Sequence, residues 1–309
     1  MKLLLLLLLA GHACADEALG CETDEDCSLL GVCTSGACHC DPGWHGYDCG
    51  QLGLLPVKPN SGYNLTGEGI SSWGANIFPA THNGAETVWH MYAAEFENKC
   101  GISHWSPNSA IVHATSTSGP AGPYTRKDVA VVPFAHNPKV VRAPDGTWLM
   151  YTIGVQLPAS KLFNCSHSQQ VEEPPPAPTP GRNPENLESN ITLFTSKSLE
   201  GPWTRYGTVL GPDYKGMWDE DTSNPSPWVL PNGVNTTACK RLFSLGCVPH
   251  TDGAVLQTVL LMYRGCTVFQ PGCNGEYMGV ASAPTWKGPY TRLLPRPILP
   301  KVYAEDPSM

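Results

Sequence analysis

Three acidic residues, Asp219, Glu220 and Asp221, stand together in "MWDEDTSNPSP". Carboxylates held near one another can trade a proton with a bound molecule, one as base and one as acid. The alternative is a solvated acidic turn. Three short motifs share a second polar position: Asn137 in "HNP", Asn224 in "SNP" and Asp306 in "EDP". An amide there donates and accepts hydrogen bonds but exchanges no proton near neutral pH, whereas an aspartate does. Glu95 follows the apolar run in "MYAAEF" and either faces inward or is a strand-end charge. His136, beside Asn137, suits either a ligand hydroxyl or a structural hydrogen bond. Arg264 follows the apolar strand "LLMY" and suits a carboxylate ligand or, with a slight preference, an internal ion pair. Trp73, Trp105 and Trp218 are large enough to stack on a ligand, although packing between elements is the default for such rings.

Other chemistries find no support. The chain has no Walker loop, no His-Glu-x-x-His and no Gly-x-Ser-x-Gly elbow. Its ten histidines lack metal-ligand spacing, so neither a metal nor another cofactor is expected. The formal net charge of -8 over 309 residues argues against nucleic acid or an anionic membrane as the main partner.

The start, "MKLLLLLLLAGHACADEALG", reads as a secretory signal peptide cut after Ala15. Seven leucines are too few to span a bilayer, which needs about 20 apolar residues. No later stretch is long and apolar enough for a membrane span. Of 13 cysteines, Cys14 leaves with the signal, and the remaining even number fits an oxidising compartment. Sequons at Asn64, Asn164, Asn190 and Asn235 add to the expectation of a secreted glycoprotein.

Residues 21 to 49 hold Cys21, Cys27, Cys33, Cys38, Cys40 and Cys49 in a stretch with almost no apolar content. Such a segment cannot offset its chain entropy with a core, so cross-links must hold it. Its end, "CHCDPGWHGYDC", pairs a Cys-x-Cys step with a Gly-aromatic turn, and spacing and ending together resemble an EGF-like domain. The resemblance implies the pairs Cys21–Cys33, Cys27–Cys38 and Cys40–Cys49, and a role as a spacer or a contact for an extracellular protein partner. Calcium is not expected, because "ALG" precedes the first cysteine where the calcium-binding subclass carries acids. A zinc site is disfavoured in a secreted chain. The EGF-like domain is placed at 16–50 and a linker at 51–66.

The rest is organised by a repeat. "GPYTR" at 122–126, "GPWTR" at 201–205 and "GPYTR" at 288–292 each follow a Ser/Thr-rich run, which follows an apolar run, which follows an opener at 73–80, 135–146 or 222–233. Each unit reads as four strands, with Gly-Pro in the hairpin between the third and fourth and its aromatic packed between neighbouring sheets. "PDG" and "PNG" read as turns between strands. Long loops are expected at 97–109, 156–189 and 232–253, with Cys239–Cys247 and Cys266–Cys273 as local staples and Cys100–Cys165 joining units one and two. The expected fold class is all-β, a β-propeller of four-stranded blades over 67–309. The last residues, "YAEDPSM", occupy the opener slot of a fourth unit. Closing a propeller needs further blades, so a truncated sequence is expected.

The openers, the strand pair "APDGTWLMYTIG" and the hairpins "TSKSLEGPWTR" and "SAPTWKGPYTR" resemble the five-bladed propeller of glycoside hydrolase family 43. The resemblance implies inverting hydrolysis of a polysaccharide by an acid and a base about 6.5–9.5 Å apart. It places the base slot at Asn76, a second slot at Asn137 and the acid slot at Asn224, all amides; Asp306 alone keeps a carboxylate. Asp219, Glu220 and Asp221 are the nearest replacements, with Asp219, Asp221 and Asp306 the catalytic candidates and Asn76, Glu95, His136, Asn137, Asn224 and Arg264 assigned to substrate binding. Two readings follow: a secreted glycan-directed protein, with hydrolysis possible, and a non-catalytic extracellular carbohydrate-binding or adhesion protein.

Overall fold

The computed structural model describes residues 20–54, 56, 58, 61–81, 87–165, 190–211, 218–234, 257–266, 276–300, 304 and 306–307, with backbone alone at 81, 231–234 and 257. The expected signal peptide, the sequon at Asn235 and Cys239, Cys247 and Cys273 lie outside them. Two compact units divide the chain, at 1–59 and 60–309. Among the described residues no helix is long and apolar enough to cross a membrane.

The first unit is held by sulfur. The hairpin β1 (Gly31–Thr34) with β2 (Ala37–Cys40) and the smaller hairpin β3 (Trp44–His45) with β4 (Gln51–Leu52) are its only strands among the described residues. Disulfides join Cys21–Cys33, Cys27–Cys38 and Cys40–Cys49, the pairing that the resemblance implied. Cys21, Cys27 and Cys49 form the buried centre, with Leu30 and Trp44 against it. Gly31 is needed for this packing, since a Cβ there would lie 2.8 Å from the Cys49 sulfur. The expected linker starts too early: Gln51 and Leu52 belong to this unit, and Gly53 N–H still bonds Gly43 O at 2.7 Å. It also ends too late. Gly62 bonds Ala121 and Tyr124 in the second unit, so that stretch is docked rather than free.

Among the described residues the second unit holds three four-stranded antiparallel sheets, the blades of a β-propeller. Blade 1 is β5 (Ser72–Thr81), β6 (Thr87–Phe96), β7 (Ser109–Ser116) and β8 (Thr125–Val131). Blade 2 is β9 (His136–Arg142), β10 (Trp148–Ile153), β11 (Ile191–Ser196) and β12 (Thr204–Leu210). Blade 3 is β13 (Asp221–Val234), β14 (Gln257–Cys266), β15 (Tyr277–Ala283) and β16 (Thr291–Arg292). One expected turn fails: "PNG" at 231–233 continues β13 instead of ending it.

Apolar residues on both faces of the second and third strands make the interblade cores. Tyr92, Ala94 and Ile111 of blade 1 meet Val140, Met150 and Phe194 of blade 2. Leu149, Tyr151 and Leu193 of blade 2 meet Leu261, Tyr263 and Ala281 of blade 3. Each large side chain so buried contributes roughly 1.5–3 kcal/mol. The pentapeptide aromatics lock these layers. Trp203 meets Tyr92 edge to face at 5.4 Å, and the Tyr290 hydroxyl lies 2.7 Å from that of Tyr151. The preceding glycines, Gly122, Gly201 and Gly288, have φ of 79°, 82° and 91°, a region closed to most side chains.

The loops after β6 and β10 are fastened together. Cys100 bonds Cys165 across 65 residues, a closure worth about 4 kcal/mol in chain entropy. Buried Asn108 accepts from Phe163 N–H at 2.9 Å and donates to Phe163 O at 2.8 Å. Cys266 is also disulfide-bonded.

Candidate functional site

The first strand of each blade, β5, β9 and β13, is the inner one, beside the propeller axis, and the three share one irregularity. Register shifts fall between Trp73 and Ala75 on β5, opposite Tyr151–Ile153 on β9, and between Ser223 and Ser226 on β13. At each bulge one residue is left-handed: Gly74 (φ 50°), Asn137 (46°) and Asn224 (45°). Glycine and asparagine tolerate that conformation best, which explains the residue types. The bulges turn these residues toward one another. Asn137 Nδ2 donates to Asn224 Oδ1 at 3.4 Å, and Asn224 Nδ2 donates to Asp306 Oδ1 at 2.7 Å. A Cβ on Gly74 would lie 2.6 Å from Asn137 Oδ1, so blade 1 also reaches this cluster.

The left-handed bulge residue of blade 1 is thus Gly74, while the sequence pointed to Asn76. Asn76 lies two residues farther along β5, where its Oδ1 accepts Val140 N–H at 2.6 Å and ties blade 1 to blade 2. The cluster thus contains two amides, one carboxylate and a glycine. It can donate to and accept from hydroxyl groups at several points.

His136 sits beside Asn137, buried between Phe96 and Trp105. Ser109 Oγ donates to Trp105 O at 2.7 Å, so its proton is committed, and His136 Nδ1–H must donate to Ser109 Oγ at 2.8 Å. Nε2 then keeps its lone pair. Burial holds the imidazole neutral, with its pKa lowered to about 3.

Three of the proposed charged residues face other work. Glu95 is buried, accepts the Tyr63 hydroxyl at 2.7 Å and takes Arg126 Nε at 3.1 Å. Burial and the Glu95 charge push the Tyr63 hydroxyl pKa up. Asp219 is 1% exposed, so it is not part of a solvated turn. It accepts the Tyr263 hydroxyl at 2.6 Å and Arg292 Nε at 2.5 Å. The cause is Gly265, whose missing side chain leaves room for Trp218 and Asp219; a Cβ there would lie 2.7 Å from Asp219 Cβ. Arg126 and Arg292 are the last residues of the two "GPYTR" copies, so the repeat supplies the cation in both cases. Arg264 bonds Ser223 Oγ at 2.8 Å and Glu276 Oε1 at 2.8 Å, the ion pair that was the preferred reading. Asp221 opens β13 half-buried, and both it and Glu220 have partners.

The tryptophans divide. Trp73 is 50% exposed next to Gly74, while Trp105 packs on His136 and Phe134 and Trp218 packs on Tyr263. Among the sequons, Asn64 and Asn164 are exposed and Asn190 is half-buried. Asn64 Oδ1 accepts both the amide and the hydroxyl of Thr66, at 3.0 and 2.7 Å, so the oxygen side of its amide is occupied.

One group escaped the sequence reading. His90 on β6 and His113 on β7 are buried side by side, 2.9 Å apart between Nδ1 and Nε2, with Glu200 and Asp128 nearby. They are 23 residues apart in the chain and become neighbours only through strand register. Burial lowers the His113 pKa, against the pull of Asp128 and Glu200. Two other clusters of ligand-type residues, one around Cys27 and one around Cys100, have their cysteines in disulfides.

Comparison with known proteins locates the first unit. Residues 23–51 match the Teneurin-like EGF domain. No curated protein matches the chain. Solved structures similar to it include a family 117 glycoside hydrolase from the marine bacterium Zobellia galactanivorans, at 18% identity and a TM-score of 0.45, covering 75% of this chain and 57% of that one. An exo-1,5-alpha-L-arabinanase from a bovine ruminal metagenomic library is 13% identical with a TM-score of 0.37, covering 78% and 62%. A family 43 arabinoxylan arabinofuranohydrolase from Bacillus subtilis is 14% identical with a TM-score of 0.34, covering 72% and 36%. The chain thus spans less than two thirds of each of these three.

Proposed function

We propose that the chain is a secreted, glycan-directed protein that binds sugar hydroxyls at the axial cluster without cleaving them. The observation that carries this reading is the set of groups at the three equivalent bulges, Gly74, Asn137 and Asn224, none of which exchanges a proton near neutral pH. Amides paired across blades offer both donors and acceptors, which suits the alternating demands of vicinal hydroxyls. His136 Nε2 adds an acceptor and the exposed Trp73 a stacking surface. Asp306 supplies one carboxylate, and hydrolysis by acid and base asks for two. The hydrolase reading keeps Asp221 as the second. The EGF-like unit, with its three disulfides, serves as the contact module in an oxidising, extracellular setting.

The test uses the full secreted chain on a panel of polysaccharides and oligosaccharides. Asn137→Gly and Asn224→Gly keep the left-handed backbone and delete the amides. Each is expected to weaken glycan binding at least about tenfold, the scale of one lost buried hydrogen bond. Unchanged binding in both variants would move the site elsewhere. Loss of turnover in Asp221→Asn with binding retained would establish the hydrolase instead.

A further inference from the structure

Two strands of blade 1 carry imidazoles where the other blades carry hydrocarbon. By register, His90 pairs with Thr115 as Leu149 pairs with Thr195 in blade 2, and His113 pairs with Tyr92 as Leu193 pairs with Tyr151. The matching positions of blade 3 are Leu260 and Val280. Leu149, Leu193, Leu260 and Val280 are buried, and His90 and His113 are 0% and 1% exposed. Packing alone calls for apolar side chains there, because a buried polar ring without partners is destabilising.

The two rings are 3° from parallel, with centroids 5.1 Å apart and Nδ1 of His90 bonded to Nε2 of His113. They are joined edge to edge. One proton makes that bond, and in the neutral pair only one more remains for the two outer nitrogens. Each outer nitrogen faces a carboxylate: His90 Nε2 is 3.8 Å from Glu200 Oε1, and His113 Nδ1 is 3.9 Å from Asp128 Oδ1. Whichever way the protons run, one lone pair faces a carboxylate across a gap too wide for a hydrogen bond. Two electron-rich atoms so held are complementary to a cation between them.

The surroundings select the His113 end. A cleft of about 410 Å³ is lined there by His113, Asp128, Glu200 and Trp203. His113 Nδ1 is buried with no hydrogen-bond partner. Glu200, half-exposed, lines the same cleft from blade 2 beside His90 Nε2. An ion bound at about 2.0–2.2 Å to nitrogen and oxygen bridges donors separated by up to about 4 Å, which accommodates the Asp128–His113 gap.

We propose that this cleft binds one divalent transition-metal cation of the zinc class, held by His113 Nδ1 and Asp128 of blade 1, with Glu200 of blade 2 adding negative charge to the cleft. Imidazole with carboxylate favours such borderline ions over calcium or magnesium. His90 is the positioning residue. It accepts Nε2–H of His113, fixing the tautomer that leaves Nδ1 free to ligate, and turns its own Nε2–H toward Glu200. The ion sits on blade 1, apart from the axial cluster.

The experiment titrates zinc chloride into the full secreted, disulfide-intact chain by calorimetry, with X-ray absorption on the loaded sample. One zinc per chain, nitrogen and oxygen ligands without sulfur, and a higher unfolding temperature are expected. Asp128→Asn, at an exposed side chain, is expected to weaken zinc at least about tenfold, and His90→Leu by about 10–100-fold with imidazole ligation retained. His113→Leu, which gives blade 1 the residue blade 2 uses at that register, is expected to fold and lose stoichiometric zinc. No zinc uptake by the parent chain, sulfur in the first shell, or affinity unchanged in both Asp128→Asn and His113→Leu would overturn the site.

Discussion

At the axis, equivalent bulges of the three blades present Gly74, Asn137 and Asn224; at the outer cleft between blades 1 and 2, His90 and His113 replace residues that are leucine in blade 2. The first region presents groups whose charge does not change near neutral pH. The second gathers two imidazoles and two carboxylates where the fold asks only for packing. The difference teaches that a repeat protein exposes its specialised positions by register. Residue types that recur at a shared backbone oddity serve a site common to the blades, and a residue type that breaks the recurrence serves a site of one interface.

The largest effect expected concerns a residue that belongs to neither region. Asp219→Ala leaves Arg292 and the Tyr263 hydroxyl buried without their acceptor, and is expected to lower stability by about 3–5 kcal/mol in chemical denaturation. An Asp219→Ala chain that unfolds like the parent yet loses a glycan activity would return Asp219 to the site and dissolve the comparison.

Next comes pH. His136 is held neutral in the fold, its pKa lowered to about 3 from an ordinary 6.5. Between those values the unfolded chain binds the extra proton, so stability is fully present above pH 6.5 and falls as the pH drops toward 3. The slope from this group reaches about 1.4 kcal/mol per pH unit. Denaturation midpoints of the parent and His136→Gln should diverge in that window and run parallel above pH 7. Parallel curves throughout would mean that His136 is exposed to water and not packed under Trp105.

The smallest effect sits at the axis. Gly74→Ala forces a side chain into φ 50° and places its Cβ 2.6 Å from Asn137 Oδ1, costing about 1–2 kcal/mol. It should also weaken glycan binding by displacing Asn137. A neutral result in both measurements would separate Gly74 from the cluster.

Much of the fold was legible because the repeat carries its own physics. Gly-Pro-aromatic marks the hairpin, the apolar runs mark the second strands, and six closely spaced cysteines mark a unit with no other core. The bulge was harder to place. "HNP" and "SNP" announce it, but "GANIF" has no proline after its left-handed residue, and the eye settles on Asn76 two residues late. No reading of Glu95 or Asp219 included an internal ion pair, because their partners, Arg126 and Arg292, lie 31 and 73 residues away. The arginine that ends each "GPYTR" was the available hint. His90 and His113 have no local spacing at all; only laying "VWHMY" and "IVHAT" against "WLMY" and "ITLFT" brings them out.

The central claim is that the axis holds sugar and leaves it intact. The most direct measurement follows one incubation of the full, disulfide-intact chain with the tightest-binding glycan of the panel, reading bound ligand by calorimetry and new reducing ends in the same sample. Saturable binding that Asn224→Gly weakens, with no reducing ends above the protein-free control, is the predicted result. Reducing ends that accumulate with turnover, and that Asp221→Asn or Asp306→Asn abolishes, would contradict it.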